Sequence, residues 1–160
     1  MLIRFTRFTD DRHALEIVRK DGSRERVELE TKSHWLHDLV HFAVEAEAGL
    51  QDGFCGALAA GMTLSELNDR TGQAQGSSAG TLEVIEMLVG AITGALSGVP
   101  LETASENIKA YFEHVGRGGA FPAWLTSDYL MRVQERLRKL VGHWKGTPFG
   151  SIMELTWEES

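Results

Sequence analysis

The sequence predicts an α+β fold: a small antiparallel sheet of about four strands, three N-terminal and one C-terminal, packed with about four helices. Three observations predict it. Apolar and polar residues alternate in three successive runs before Lys32, the period becomes helical from there on, and alternation returns once near the C-terminus.

Ile3 and Phe5 alternate with Arg4 and Thr6, Leu15 and Ile17 flank Glu16, and Val27 and Leu29 flank Glu28, which reads as three strands in sequence. Thr9-Asp10-Asp11-Arg12 joins the first pair. Lys20-Asp21-Gly22-Ser23 joins the second, and its Asp-Gly is expected to supply the positive φ angles of a tight hairpin. A helix is expected after Lys32, with Ser33 as N-cap and Gly49 as its stop. The piece Gly53 to Gly61, punctuated by glycine, reads as compact but irregular, and Thr63 with Glu66 forms a capping box for a short turn to about Asn68.

Thr71 to Gly80 (TGQAQGSSAG) reads as a flexible connector. Its glycines lack both the spacing and the lysine of a phosphate loop. Thr81 to Gly98 is expected to be a helix whose Gly90, Gly94 and Gly98 make a smooth stripe for a close backbone approach. Pro100 ends it, and Thr103 with Glu106 caps a further helix carrying Ile108, Tyr111, Phe112 and Val115. After the loop at Arg117 to Pro122, Leu130, Val133, Leu137, Leu140, Val141 and Trp144 mark a last helix from about Ser127. Its Arg132, Arg136, Lys139 and Lys145 read as a solvated face. Met153, Leu155 and Trp157 then alternate as a returning strand.

At 160 residues and 42% hydrophobic, the chain is expected to form one domain with its own core. The formal charge of -7 argues against nucleic acid and against an anionic membrane surface as partners. Small ligands, metal ions and protein partners, including a second copy of the chain, remain open. The single cysteine, Cys55, precludes an intrachain disulfide and suits a reducing cytosol, so a cytoplasmic location is expected. The alternating N-terminus does not read as a signal peptide. The most apolar stretch, Met87 to Val99, falls short of the roughly 20 residues needed to span a bilayer.

The candidate functional residues are the histidines. Three of six fall in Ser33 to Glu45, and at about 100° per residue His34, His37, Asp38, His41 and Glu45 share one arc of the helix. His37 and His41, at i and i+4, are spaced so that two imidazoles can converge on one divalent metal, zinc first among them. A helix alone cannot complete the site. Glu83, Glu86, Glu106 and His114 are candidate third ligands, with Glu86 preferred because it lies one turn before Gly90. The string His37-Asp38-Leu39-Val40-His41 is HDxxH where zinc metalloproteases have HExxH. Asp38 is thus a candidate catalytic base with a shorter reach, or a supporting group that orients a ligand. His34 and Glu45 read as flanking residues. The same arc also fits an ordinary solvated face, or imidazoles hydrogen-bonded beneath the sheet.

The run Leu36 to Glu45, followed by Gly49-Leu50 and Gly53-Phe54, resembles an uncharacterised family of small bacterial proteins with a strand-rich N-terminus and a similar His-Asp-Leu helix. The likeness covers about the first 60 residues. It implies a bacterial cytosolic protein and a shared purpose for His37, Asp38 and His41, and it implies no activity. Two functions follow from the residues: a divalent-metal-binding protein, with a metal-dependent hydrolase as its catalytic form, or a non-enzymatic interaction or assembly module. Cys55, among small apolar neighbours, reads as buried.

Overall fold

In the computed structural model the N-terminal alternation becomes strands β1 (Leu2–Arg7), β2 (Arg12–Val18) and β3 (Arg24–Glu30), and the C-terminal alternation becomes β4 (Ile152–Thr156). The structure describes residues 1–70, 79–96 and 122–159, together with Glu106 and Ala110. The four strands form an antiparallel sheet in the order β3-β2-β1-β4, so the two ends of the chain pair with each other, β1 inside and β4 at the edge. Ile3 faces Ile17 and Leu155, and Phe5 faces Leu15 and Met153, which places these six apolar side chains on one face. All six are buried. On the other face Arg4 lies between Glu154 and Glu16, a cross-strand charge ladder suited to solvent.

The β2–β3 turn departs from expectation in one respect. Gly22 alone has a positive φ, 85°, and Asp21 does not. Asp21 instead accepts a hydrogen bond from the Ser23 backbone N–H, and the Arg19 N–H closes the loop on the Ser23 carbonyl. The turn is therefore longer than a two-residue hairpin and needs one glycine, not two left-handed residues.

The polypeptide enters α1 (Leu36–Ala48) through a π-helical turn at Thr31–Trp35. Ser33 sits inside that turn and donates to Glu30, so it is not the expected N-cap. Gly49, at φ 66°, does end α1. Gly53 to Gly61, expected to be irregular, contains the short helix α2 (Phe54–Ala59). Next comes α3 (Leu64–Arg70), with Thr63 and Glu66 in the expected capping box. Arg19 grips this region, donating to the carbonyls of Leu58 and Met62 and pairing with Glu25, which in turn accepts the Leu64 N–H.

Helix α4 (Ala79–Leu96) begins two residues before Thr81, so Ala79 and Gly80 are helical and not loop. It packs on α1 through Val84, Ile85, Leu88, Val89 and Ile92. The expected glycine contact is absent among the described residues, since nothing lies within 4 Å of where a Cβ would stand on Gly90 or Gly94. The apolar stripe, not the glycine stripe, faces the core. The expectations at residues 71–78, 97–105, 107–109 and 111–121, including the capped helix after Pro100 and His114, lie outside the described residues.

Helix α5 (Ser127–Gly146) is capped by Thr126, whose side chain accepts the Tyr129 N–H. Tyr129 is fully buried and donates to the Val44 carbonyl at 2.8 Å. Arg132 and Arg136 reach Glu47 on α1, so only part of the basic face is free of α1. Arg7 on β1 donates to the carbonyls of Trp144, Lys145 and Thr147, which satisfies the C-terminal end of α5. The inner sheet face, α1, α4 and α5 share one buried apolar cluster. Among the described residues no helix is long and apolar enough to cross a membrane.

Candidate metal centre

Helix α1 carries the site because residues four apart stand above one another. His37, His41 and Glu45 form one row that passes from solvent into the core. The His37 side chain is 46% exposed, whereas His41 and Glu45 are fully buried. A solvated face is therefore excluded for the inner half of the row. Burial of two polar side chains on one helix requires partners, and each has them.

The packing of α4 against α1 brings Glu86 to this row. His41 Nε2 lies 3.2 Å from Glu86 Oε1, and His37 Nε2 lies 3.9 Å from Glu86 Oε2. One ligand atom from each of His37, His41 and Glu86 falls within 4.8 Å of the others. The structure thus brings together the three residues expected as metal ligands. The two imidazoles stand 4.6 Å apart, centroid to centroid.

Both rings turn their second nitrogen to a carboxylate. His37 Nδ1 is 3.5 Å from Asp38 Oδ1, and His41 Nδ1 is 3.2 Å from Glu45 Oε1. In a neutral ring whose Nδ1–H is directed at its carboxylate, the Nε2 lone pair is free for a cation on the Glu86 side. His41 Nε2 is buried and makes no hydrogen bond of good geometry, despite its closeness to Glu86. A buried ring nitrogen close to a carboxylate without a well-aligned hydrogen bond is the position of a metal ligand or of a proton shared with that carboxylate.

Glu45 is the member of the row that periodicity alone leaves as a flank. Its carboxylate accepts the backbone N–H of Phe54 at 2.9 Å and of Cys55 at 2.8 Å while facing His41. The α2 segment approaches so closely that a Cβ on Gly53 would overlap the Glu45 carboxylate. The sequence signal is the continued spacing 37, 41, 45, read together with a glycine before an apolar turn. Cys55, directly beyond, is fully buried, and burial raises its thiol pKa well above the ordinary value. Its backbone, not its sulfur, serves the site.

Electrostatics follow from the three carboxylates. Asp38 and then Glu86 raise the His37 pKa to about 9, against the opposing effect of burial. Burial pulls His41 down, but Glu45 and Glu86 together outweigh it, and the net direction is up. Glu86 is lowered to about 2 by His37 and then His41. The arrangement attracts positive charge, and either protons or a divalent cation can supply it.

The remaining candidates separate from the site. His34 is exposed near its mouth, and Glu106 is exposed and outside the cluster. The side chain of Glu83 and all of His114 lie outside the described residues. His13 is a core histidine, held by Thr31 at 3.2 Å beneath the sheet, where burial lowers its pKa. Compared with protein-family models, curated proteins and solved structures, the chain matches none.

Proposed function

We propose that the protein binds one divalent cation, zinc in the first instance, through His37 Nε2, His41 Nε2 and a Glu86 oxygen. The observation that carries this reading is the buried His41 Nε2, 3.2 Å from Glu86 Oε1 without a well-aligned hydrogen bond, with its Nδ1 facing Glu45. Two imidazoles and a carboxylate form a ligand set used by hydrolytic zinc enzymes, and three protein ligands leave a coordination position open. His37 and Glu86 both line a cavity, so the open position would face it.

A bound cation there would supply Lewis acidity toward a carbonyl oxygen, which makes metal-assisted hydrolysis the reaction class of choice. The chain's own residues do the positioning. Glu45 fixes the ring of His41 from inside the core, and Asp38 orients His37 from the next position along α1. Asp38 is therefore assigned as a positioning residue, not as the base of an HExxH-type motif. A reducing cytosol, as the lone cysteine and the family resemblance imply, would keep the buried Cys55 a thiol without affecting the ligand set.

The test is metal content joined to stability. Protein freed of metal and then given zinc, nickel or manganese should retain about one equivalent after desalting and melt at higher temperature. Protein that retains none and gains no stability contradicts the proposal.

A second reading, self-assembly, rests on a different observation. β4 is an outer strand of the sheet, and Ile152 on it and Phe149 beside it are more than half exposed. Sedimentation as a strict monomer at high concentration would remove it.

A further inference from the structure

The cavity beside the three converging side chains has a volume of about 660 Å³, the size of a small-molecule site. At one side the Arg19–Glu25 pair ties the α2–α3 junction to the ends of β2 and β3. Its walls differ in chemistry. One side is apolar, made by Val27 and Leu29 of β3, Phe54 of α2 and Leu64 of α3, all half-buried. The polar part of the lining includes His37, Asp38 and Glu86.

Charge decides what can enter. Asp38, Glu86 and the buried Glu45 already match or exceed the charge of a divalent cation, so a loaded site offers an anion no net attraction. Arg26, on the rim, has its guanidinium over the Phe8 ring, 5.7 Å from the centroid, and Arg19 is spent on Glu25 and two carbonyls. Among the described lining residues Arg26 is the one Lys or Arg, and it is exposed and alternates along β3 with the half-buried Glu25 and Val27, so its charge stays at the rim.

Resting on the metal reading above, we propose that this cavity selects an uncharged, amphipathic small molecule. A lone-pair donor, such as an amide carbonyl or an unprotonated nitrogen, points at the His37 and Glu86 end. An aromatic or branched apolar group lies over Val27, Leu29, Phe54 and Leu64. Phosphate esters and dicarboxylates are excluded by the same walls.

Cobalt(II) loaded in place of zinc gives a visible spectrum that reports ligand entry without any assay of activity. Titrations with imidazole, 4-phenylimidazole and benzoate separate the claims. 4-Phenylimidazole should bind about tenfold more tightly than imidazole, the return on partly burying a phenyl ring, and benzoate should bind more weakly than 4-phenylimidazole. Leu29→Ala should reduce the preference for the phenyl compound severalfold while leaving imidazole unchanged, and Val27→Ala serves the same purpose if the first variant fails to fold. Equal binding of the two imidazoles, or benzoate binding the tightest, overturns the cavity assignment while leaving the metal reading intact. A protein that takes up no cobalt overturns both.

Discussion

Replacing Glu45 by glutamine changes one oxygen to an NH2 group and leaves the volume almost untouched, so it isolates what the carboxylate does. The carboxylate accepts two backbone N–H groups, from Phe54 and Cys55, and faces His41 Nδ1 at 3.2 Å, all in a fully buried setting. Glutamine keeps one acceptor oxygen, and its amide NH2 must confront either a backbone N–H or the imidazole. At least one buried donor is left without an acceptor, at a cost of about 1 to 3 kcal/mol. Loss of the charge-assisted character of the remaining bonds adds to this, and a total of about 2 to 4 kcal/mol is expected for the metal-free protein. Denaturant unfolding followed by circular dichroism measures it. In the metal titration the same variant should bind about 10- to 100-fold more weakly, because His41 loses the group that sets its tautomer. Glu47→Gln is the control: that carboxylate meets Arg132 and Arg136 near the surface and should cost no more than about 1 kcal/mol with unaltered metal affinity. Glu45→Gln with stability and zinc affinity both within error of the parent would refute the reasoning.

Gly53→Ala should destabilise by about 1 to 3 kcal/mol and weaken zinc binding, because its Cβ displaces either α2 or the Glu45 carboxylate; parallel unfolding and metal titrations check both. The site's pH dependence has two signs. In the metal-free protein His37 is raised to about 9, so its contribution to stability is fully present below about 6.5 and is lost as pH rises toward 9, while Glu86, lowered to about 2, contributes above about 4.5 and loses its contribution as pH falls toward 2. Metal affinity runs the other way, rising with pH as the histidines give up their protons, and nitrogen-detected NMR of the two rings with and without zinc follows both. Arg7→Ala removes a guanidinium that serves three carbonyls at the end of α5 and should cost about 1.5 to 3 kcal/mol, with zinc affinity unchanged.

The sheet was legible because a half-buried strand writes its two faces directly as alternation, and Ile3, Phe5, Leu15, Ile17, Met153 and Leu155 all read correctly onto one face. Helix ends were less so. Ser33 has the chemistry of an N-cap, but the π-turn at Thr31–Trp35 carries the helical path past it and buries Trp35, which stacks on Trp144 at 5.0 Å. Gly90 and Gly94 reveal only that a surface is small, not that anything lies against it. At the site, the spacing of His37 and His41 could be read from helical geometry, whereas the reason for preferring Glu86, its place one turn before Gly90, fails: nothing among the described residues packs on Gly90, and Glu86 reaches the row because its neighbours Ile85 and Val89 are buried in the core. The depth of the row could not, because periodicity places Glu45 on an arc without saying which segment covers it. That cover is α2, whose glycines disguise a short helix as a loop and whose backbone N–H groups hold the carboxylate.

X-ray absorption at the zinc edge tests the ligand set most directly. Zinc-loaded protein should show two imidazole rings and carboxylate oxygen at about 2.0 to 2.1 Å, with the imidazole contribution halved in His37→Ala. A sulfur neighbour at about 2.3 Å, an all-oxygen shell, or a protein that leaves the desalting column without zinc would contradict the site at His37, His41 and Glu86.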